Sequence, residues 1–214
     1  MKKATIILLL LISFSLFSQE DYASTNIDST IIQSLSKKTI YFDKEWNEIP
    51  KGKHKYYRLL SISEYNYKGQ KLFEVNDYYK NGKIQMNGYS TRVDTIEYIG
   101  LSTYYNHDGT IYRYSLYEYD TFKDVFPQVE KYASKIKHCD IPNKTLHIKF
   151  QPRKLKYIGY RNSDGKRIGV WHFYHKNGKY IVCDFKNGIS PTVIRLYNKN
   201  DELIRKGYYN PKSH

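Results

Sequence analysis

The sequence has little cysteine and no recognisable catalytic motif. Its two cysteines, Cys139 and Cys183, belong to no Cys-x-x-Cys pair, which argues against a zinc site or a redox dithiol. The chain also lacks a nucleophile elbow, a phosphate-binding glycine loop and a metalloprotease motif. We therefore expect no catalytic, metal-binding or cofactor-binding residues. In an oxidising compartment the two cysteines would form one disulfide, and two buried free thiols are the alternative.

Long apolar runs are lacking too, except at the N-terminus. Lys2 and Lys3 precede a continuous apolar stretch at residues 6–12, and polar residues then dilute the segment. A charged start followed by a short apolar core is typical of a secretory signal. We expect export to the periplasm, the outer envelope or the medium, with cleavage near Ser18 or Gln19, and a retained anchor is the alternative. The run is too short for a transmembrane span, so we expect none in the mature chain.

Acidic residues are outnumbered by basic ones. The chain has 35 Lys and Arg against 21 Asp and Glu, a formal net charge of +14. The positive electrostatic field of such a chain attracts an acidic protein, an envelope polyanion such as an acidic glycan, or an anionic membrane surface. Nucleic acid is not expected as the partner of an exported protein. The alternative is that the scattered lysines keep an aromatic-rich sheet soluble.

Tyrosine is the residue type in excess, with 24 copies. A tyrosine suits a half-buried pleated surface, because its ring packs on a neighbour while its hydroxyl stays in water. Polar and apolar residues alternate along much of the chain, and turn signals recur about every ten residues. The pattern predicts a mainly β fold, an antiparallel meander of β-hairpins.

One hairpin pattern recurs three times. Tyr78, Tyr105 and Tyr174 each stand four positions before a turn glycine that follows Asn or Asp. Two of these glycines also have another glycine nine residues earlier. Asn-Gly and Asp-Gly tolerate positive φ, so we predict two-residue type I′ turns. With one further Asn-Gly pair, the predicted turn residues are Asn81, Gly82, Asp108, Gly109, Asn177, Gly178, Asn187 and Gly188.

The period of the apolar residues changes once, at residues 122–137. Their spacing of three and four predicts an amphipathic helix that packs on a sheet face. Pro127 fits only the first turn of a helix, so the helix should begin near Asp124. The expected organisation is a signal peptide at 1–19, a weakly ordered leader at 20–37, a hairpin block at 38–119, a helical insertion and connector at 120–152 and a second hairpin block at 153–210.

The repeat resembles the MORN-repeat variant of exported bacterial proteins, the family labelled YwqK-like antitoxins. The residues that carry the resemblance are Gly169, Trp171, Phe173, Tyr174, Asn177 and Gly178, followed by Phe185, Asn187 and Gly188. The resemblance implies an elongated stack of β-hairpins and a role in interaction rather than in a reaction.

Tyr78, Tyr105, Trp171 and Tyr174 are the candidate interaction residues, with packing in the core of the repeat as the alternative. Rigid aromatic rings interspersed with basic residues suit recognition. The leading hypothesis is a non-enzymatic protein-interaction or structural module of the cell envelope. The second is the binding of acidic glycans or lipid headgroups on a basic, tyrosine-rich sheet. Hydrolysis by carboxylates or His138 is a distant third, because the sequence has no catalytic motif.

Overall fold

The described part of the protein is one open antiparallel sheet. A computed structural model describes residues 39–136, 139–151, 154–186 and 190–208. Within these ranges twelve strands each pair with the next along the chain. The strands are β1 (Thr39–Phe42), β2 (Tyr56–Tyr67), β3 (Gln70–Tyr79), β4 (Ile84–Ser90), β5 (Tyr98–Tyr105), β6 (Ile111–Tyr117), β7 (Thr145–Phe150), β8 (Leu155–Arg161), β9 (Arg167–Tyr174), β10 (Tyr180–Phe185), β11 (Val193–Tyr197) and β12 (Leu203–Tyr208). The predicted β-hairpin meander is confirmed.

The turns of the repeat are not the two-residue type I′ turns that we predicted. Type I′ needs positive φ at both central residues, but in the Asn177-Gly178 copy only Gly178 has positive φ, at +82°. The turn spans four residues: the Gly178 N–H donates to the His175 carbonyl at 3.1 Å, and the His175 N–H donates to the Lys179 carbonyl at 2.8 Å. The Asn177 side chain accepts the Lys179 N–H at 3.1 Å. That side-chain bond, which Asp can also make, explains the residue type before the glycine.

The three described copies share this geometry. Their turn glycines have φ between +82° and +84°, and the Asn or Asp before each accepts the N–H two residues further on. Gly100 and Gly169, nine residues before two of these glycines, both have φ +61°. The sequence repeat is therefore also a conformational repeat. The predicted turn residues Asn187 and Gly188 lie outside the described residues.

The helix predicted at residues 122–137 is not continuous. Three short pieces stand there instead: α1 (Tyr119–Phe122), a 3₁₀ turn (Pro127–Val129) and α2 (Glu130–Ala133). Pro127 has no N–H with which to continue a helix, and Phe126 before it lies at φ −120°, ψ 73°, outside the helical region. The first piece begins at Tyr119, directly after the left-handed Glu118, rather than near Asp124.

The helical segment nevertheless covers the sheet, as its apolar spacing predicts. Phe122, Phe126, Val129, Ala133 and Ile136 are all buried, and they share one core with residues of β5 to β9. We call the sheet face that they cover the helix face. The sheet runs on beneath them, because β6 pairs directly with β7. The two predicted hairpin blocks therefore belong to one sheet.

The opposite face, which we call the groove face, carries two smaller apolar clusters. One consists of Leu60, Phe73, Val75 and Met86, and the other of Trp171, Cys183 and Phe185. Between them, β6, β7 and β8 present polar and charged side chains on this face. Because both ends of the groove face are packed and its middle is polar, a ligand site is more readily built there than on the helix face.

The disulfide predicted between Cys139 and Cys183 does not form, and both thiols are free and buried. Cys139 belongs to the core on the helix face. Cys183 lies opposite Trp171 in the β9–β10 register, on the groove face. The sheet separates the two sulfur atoms, so the alternative of two buried thiols holds. No helix in the described ranges is long and apolar enough to cross a membrane.

Candidate ligand-binding groove

The structure does not bring the predicted interaction residues together. Tyr78 stacks on Tyr57 with ring centroids 4.9 Å apart, and Tyr105 is half-buried in β5. Tyr174 packs against the core of the helix face. Trp171 is 0% exposed on the groove face, where its indole N–H donates to the Tyr160 carbonyl at 2.9 Å. Trp171 therefore belongs to the core of the repeat.

A different constellation forms in the middle of the groove face. In the β6–β7 register Ser115 lies opposite His147, and in the β7–β8 register His147 lies opposite Gly159. Cross-strand partners share a face, and so do residues two apart on a strand. Arg113 on β6 and Arg161 on β8 therefore stand on this face too, at diagonally opposite corners around His147. Ser115 and Gly159 are themselves buried, and the Trp171 ring covers Gly159, since a Cβ built there would stand 2.1 Å from it.

Arg113, His147 and Arg161 line a depression of about 560 Å³, which we call the first depression. Its lining includes Tyr98, Tyr117 and Tyr157, together with the loop at residues 162–165. Tyr98 and Tyr117 stack on each other with ring centroids 6.0 Å apart. Burial raises the pKa of both phenols, so neither ionises in the neutral range. The walls of the depression are thus rings that carry neutral hydroxyls.

Arg113 is held in place mainly by an aromatic ring. Its guanidinium carbon lies 3.7 Å from the centroid of the Tyr104 ring. Its Nε is buried and has no hydrogen-bond partner within the described residues. No salt bridge to Arg113 or Arg161 occurs in that part of the chain, although Arg161 donates one bond to the Gly165 carbonyl. Both guanidiniums therefore keep donors to offer.

His147 contributes a neutral ring to the first depression. Its Nδ1 lies 3.2 Å from the Ser115 hydroxyl. Burial, followed by the charges of Arg161 and Arg113, lowers its pKa to about 3. The imidazole is uncharged at neutral pH as a result, and the positive charge in the first depression comes from the two arginines. Glu118 also lines this depression, and its carboxylate accepts the Tyr67 hydroxyl.

A second depression of about 500 Å³ adjoins the first and shares Tyr98 and Arg113 with it. Its own arginine, Arg58, is already neutralised by Asp77. The Arg58 Nε and Nη2 donate to the two carboxylate oxygens at 2.6 and 2.8 Å, and both side chains are largely buried. The two depressions therefore form one groove, with two arginines that form no salt bridge in the described residues at one end and a closed ion pair at the other.

The described residues offer little for metal binding or acid–base catalysis. No group of three or more His, Cys, Asp or Glu in those ranges could hold a metal ion. His172 lies on β9, where it stacks on Tyr180, whereas His175 lies in the following turn. Glu118 is the one carboxylate among the lining residues of the first depression. What this groove can do with its donors and rings is bind an anion.

The sequence did not identify Arg113, His147 and Arg161 as a site. Each stands in a strand with alternating residue types, and the alternation predicts which residues of that one strand lie on the same face of the sheet. Residues 118–144 separate β6 from β7, however, and nothing in the sequence indicates how those two strands align. A scan of protein families, a search of curated proteins and a search of solved structures each find no match to this chain. The resemblance to the MORN-repeat variant therefore stays a prediction.

Proposed function

We propose that the chain is a non-enzymatic binding protein whose groove face holds an extended acidic glycan. The observation that carries the proposal is the pair of adjoining depressions, of about 560 and 500 Å³. Each has the size of a pocket for a small ligand, and together they provide room for several sugar units. Their lining combines tyrosine rings with arginines, which suits sugar rings that carry acidic groups.

The charge of the whole chain supports the same ligand class. A net charge of +14 draws a polyanion toward the surface from a distance, and the groove then supplies short-range contacts. An acidic polysaccharide of the cell envelope is a ligand that an exported protein would meet. The proposal thus includes export by residues 1–19, which lie outside the described residues.

We propose binding rather than hydrolysis because neither depression contains a pair of acidic residues. Glycoside hydrolysis commonly uses two carboxylates about 5 to 10 Å apart. Among the acidic residues, only Glu118 lines the first depression and only Asp77 lines the second. Asp77 is already paired with Arg58. His147 is neutral but faces Ser115, with no acid bonded to its ring in the described structure.

Retention on an immobilised acidic polysaccharide tests the proposal. We expect the protein to bind polygalacturonate at low ionic strength and to elute at about 1 M salt, because charges are then screened. It should not bind dextran, which carries no charge. Tyr98→Ala, which opens the wall shared by both depressions, should reduce retention. Tyr57→Ala removes a tyrosine from the opposite face and should leave retention unchanged.

The proposal is wrong if a basic control protein of similar net charge is retained equally, or if Tyr57→Ala is as harmful as Tyr98→Ala. Stronger binding to single-stranded nucleic acid or to anionic vesicles would assign the groove to another ligand. Circular dichroism of each variant shows whether the sheet is intact.

A second candidate function, binding of a protein partner, is favoured by the last strand. Within the described residues β12 pairs with β11 alone, so its other edge is open. Leu203, Ile204 and Tyr208 on this strand are 53%, 50% and 72% exposed. An open edge with apolar side chains can accept another strand. Ile204→Lys should abolish capture of an envelope protein if this edge is an interface, and unchanged capture would exclude it.

A further inference from the structure

We infer that the first depression is a carboxylate subsite, which binds the acid group of a sugar residue between Arg113 and Arg161. The inference rests on the proposed function of the groove face and names the ligand group that one part of it takes. The second depression, in contrast, would hold an uncharged part of the same chain.

The first argument is the unused hydrogen-bonding capacity of Arg113. Its Nε is buried without a partner, so a ligand in the groove meets the two terminal nitrogens, which also have no hydrogen-bond partner within the described residues. The Tyr104 ring, 3.7 Å from the guanidinium carbon, fixes the plane of the group but accepts no conventional hydrogen bond. A planar carboxylate matches the fork of guanidinium donors geometrically. A bound carboxylate would therefore pair with the two terminal nitrogens of Arg113, which the described residues leave without a partner.

The second argument is the difference in charge between the two depressions. In the second, Arg58 and Asp77 form a closed pair through two short bonds. In the first, neither Arg113 nor Arg161 forms a salt bridge within the described residues. The one acidic residue that lines this depression, Glu118, accepts the Tyr67 hydroxyl instead. An anion gains the field of two guanidiniums at one end of the groove alone.

The third argument selects a sugar acid over a bare inorganic anion. Three tyrosines, Tyr98, Tyr117 and Tyr157, line the same depression, and an inorganic anion would make no use of their ring faces. The C–H faces of a pyranose ring pack on aromatic rings, while its hydroxyls bond to polar groups at the rim. A volume of about 560 Å³ also far exceeds what one small anion needs.

Binding of short oligosaccharides to the full chain tests the inference. The probes are trigalacturonate, the same trimer with its carboxyl groups reduced to alcohols, and inorganic phosphate, each titrated while amide NMR signals are followed. We expect trigalacturonate to bind at least about tenfold more tightly than the reduced trimer, since only the trimer with its carboxylates can accept charged hydrogen bonds from the arginines. The shifted amide signals should include those of His147 and Ser163, which line the first depression.

Two variants and a matched control locate the subsite. Arg113→Gln and Arg161→Gln should each weaken trigalacturonate about tenfold while leaving the reduced trimer unaffected. Arg205→Gln, an exposed arginine on β12, removes the same charge elsewhere and should not change binding. If Arg113→Gln fails to fold, Arg161→Gln and Arg113→Lys, which keeps the charge but not the fork, still give the comparison.

The outcomes separate this inference from the proposed function. Equal affinity for both trimers, tighter binding of phosphate, or variants that bind trigalacturonate like the wild type would each overturn the carboxylate subsite. If the wild type and both variants still bind polygalacturonate in such a case, the groove remains a glycan site without this subsite. If no polygalacturonate binds to the wild type, the proposed function itself fails.

Discussion

Replacing His147 should remove an acid-sensitive part of the protein's stability. Burial and two nearby arginines lower its pKa to about 3, whereas histidine in an unfolded chain titrates near 6.5. Between these values the unfolded state binds a proton that the folded state does not, so stability falls as the pH drops from about 6.5 toward 3. The slope approaches about 1.4 kcal/mol per pH unit, so acidification from about pH 7 to about pH 5 costs ~2 kcal/mol through this residue.

Urea unfolding followed by tryptophan fluorescence at several pH values measures this contribution. His147→Asn keeps a polar group near Ser115, whose hydroxyl lies 3.2 Å from the imidazole, but it cannot be protonated. We expect the free energy of unfolding of the variant to fall by ~2 kcal/mol less than that of the wild type between about pH 7 and about pH 5. His175→Asn, in an exposed turn, should follow the wild type.

Parallel pH profiles for the wild type and His147→Asn would refute the reasoning. They would mean that the folded protein accepts a proton on His147 as readily as the unfolded chain does. The first depression would then gain a third positive charge on mild acidification, and the description of the His147 ring as neutral would be wrong.

Three further predictions concern packing and thiols. Gly159→Ala should destabilise by about 3 kcal/mol, because the new Cβ would stand 2.1 Å from the buried Trp171 ring; thermal melting checks this, and an unchanged melting temperature would contradict it. Gly109→Ala should cost about 1 kcal/mol through its φ of +84° alone, since nothing lies within 4 Å. Gly207→Ala, equally open but without positive φ, should cost less, and equal losses would contradict the backbone argument. Thiol titration should find two reactive cysteines per chain in denaturant and almost none in the native state, since both are free and buried; none in denaturant would reveal a disulfide.

The strands could be predicted from the sequence because their signals are local. Alternation of polar and apolar residues and the recurring turn signals predicted the antiparallel meander that the structure has. The turn type was missed because Asn-Gly occurs in more than one hairpin geometry. The side-chain bond from Asn177 to the Lys179 N–H stabilises the longer turn, and this bond depends on a conformation that residue type alone does not determine.

The candidate site could not be predicted, because it depends on the alignment of distant strands. Arg113, Ser115 and Tyr117 alternate on β6, and Tyr157, Gly159 and Arg161 alternate on β8, so each strand alone indicates a common face. The pairing of Ser115 with His147 spans a connection in which a proline interrupts the predicted helix. That connection packs on the helix face, and its packing sets a register that residue spacing does not encode.

The glycines that recur in the repeat explain how one segment covers both halves of the sheet. A Cβ at Gly100 would stand 3.0 Å from the Phe126 ring, and a Cβ at Gly169 would stand 3.2 Å from the Cys139 sulfur. Both glycines have φ +61°, so another residue would be strained and would also push the segment away. The segment between β6 and β7 thus packs against the equivalent glycine of the repeat twice, at Gly100 on β5 and at Gly169 on β9. Since β6, β7 and β8 lie between these strands, the contacts on the helix face brace the strands that form the first depression on the other side.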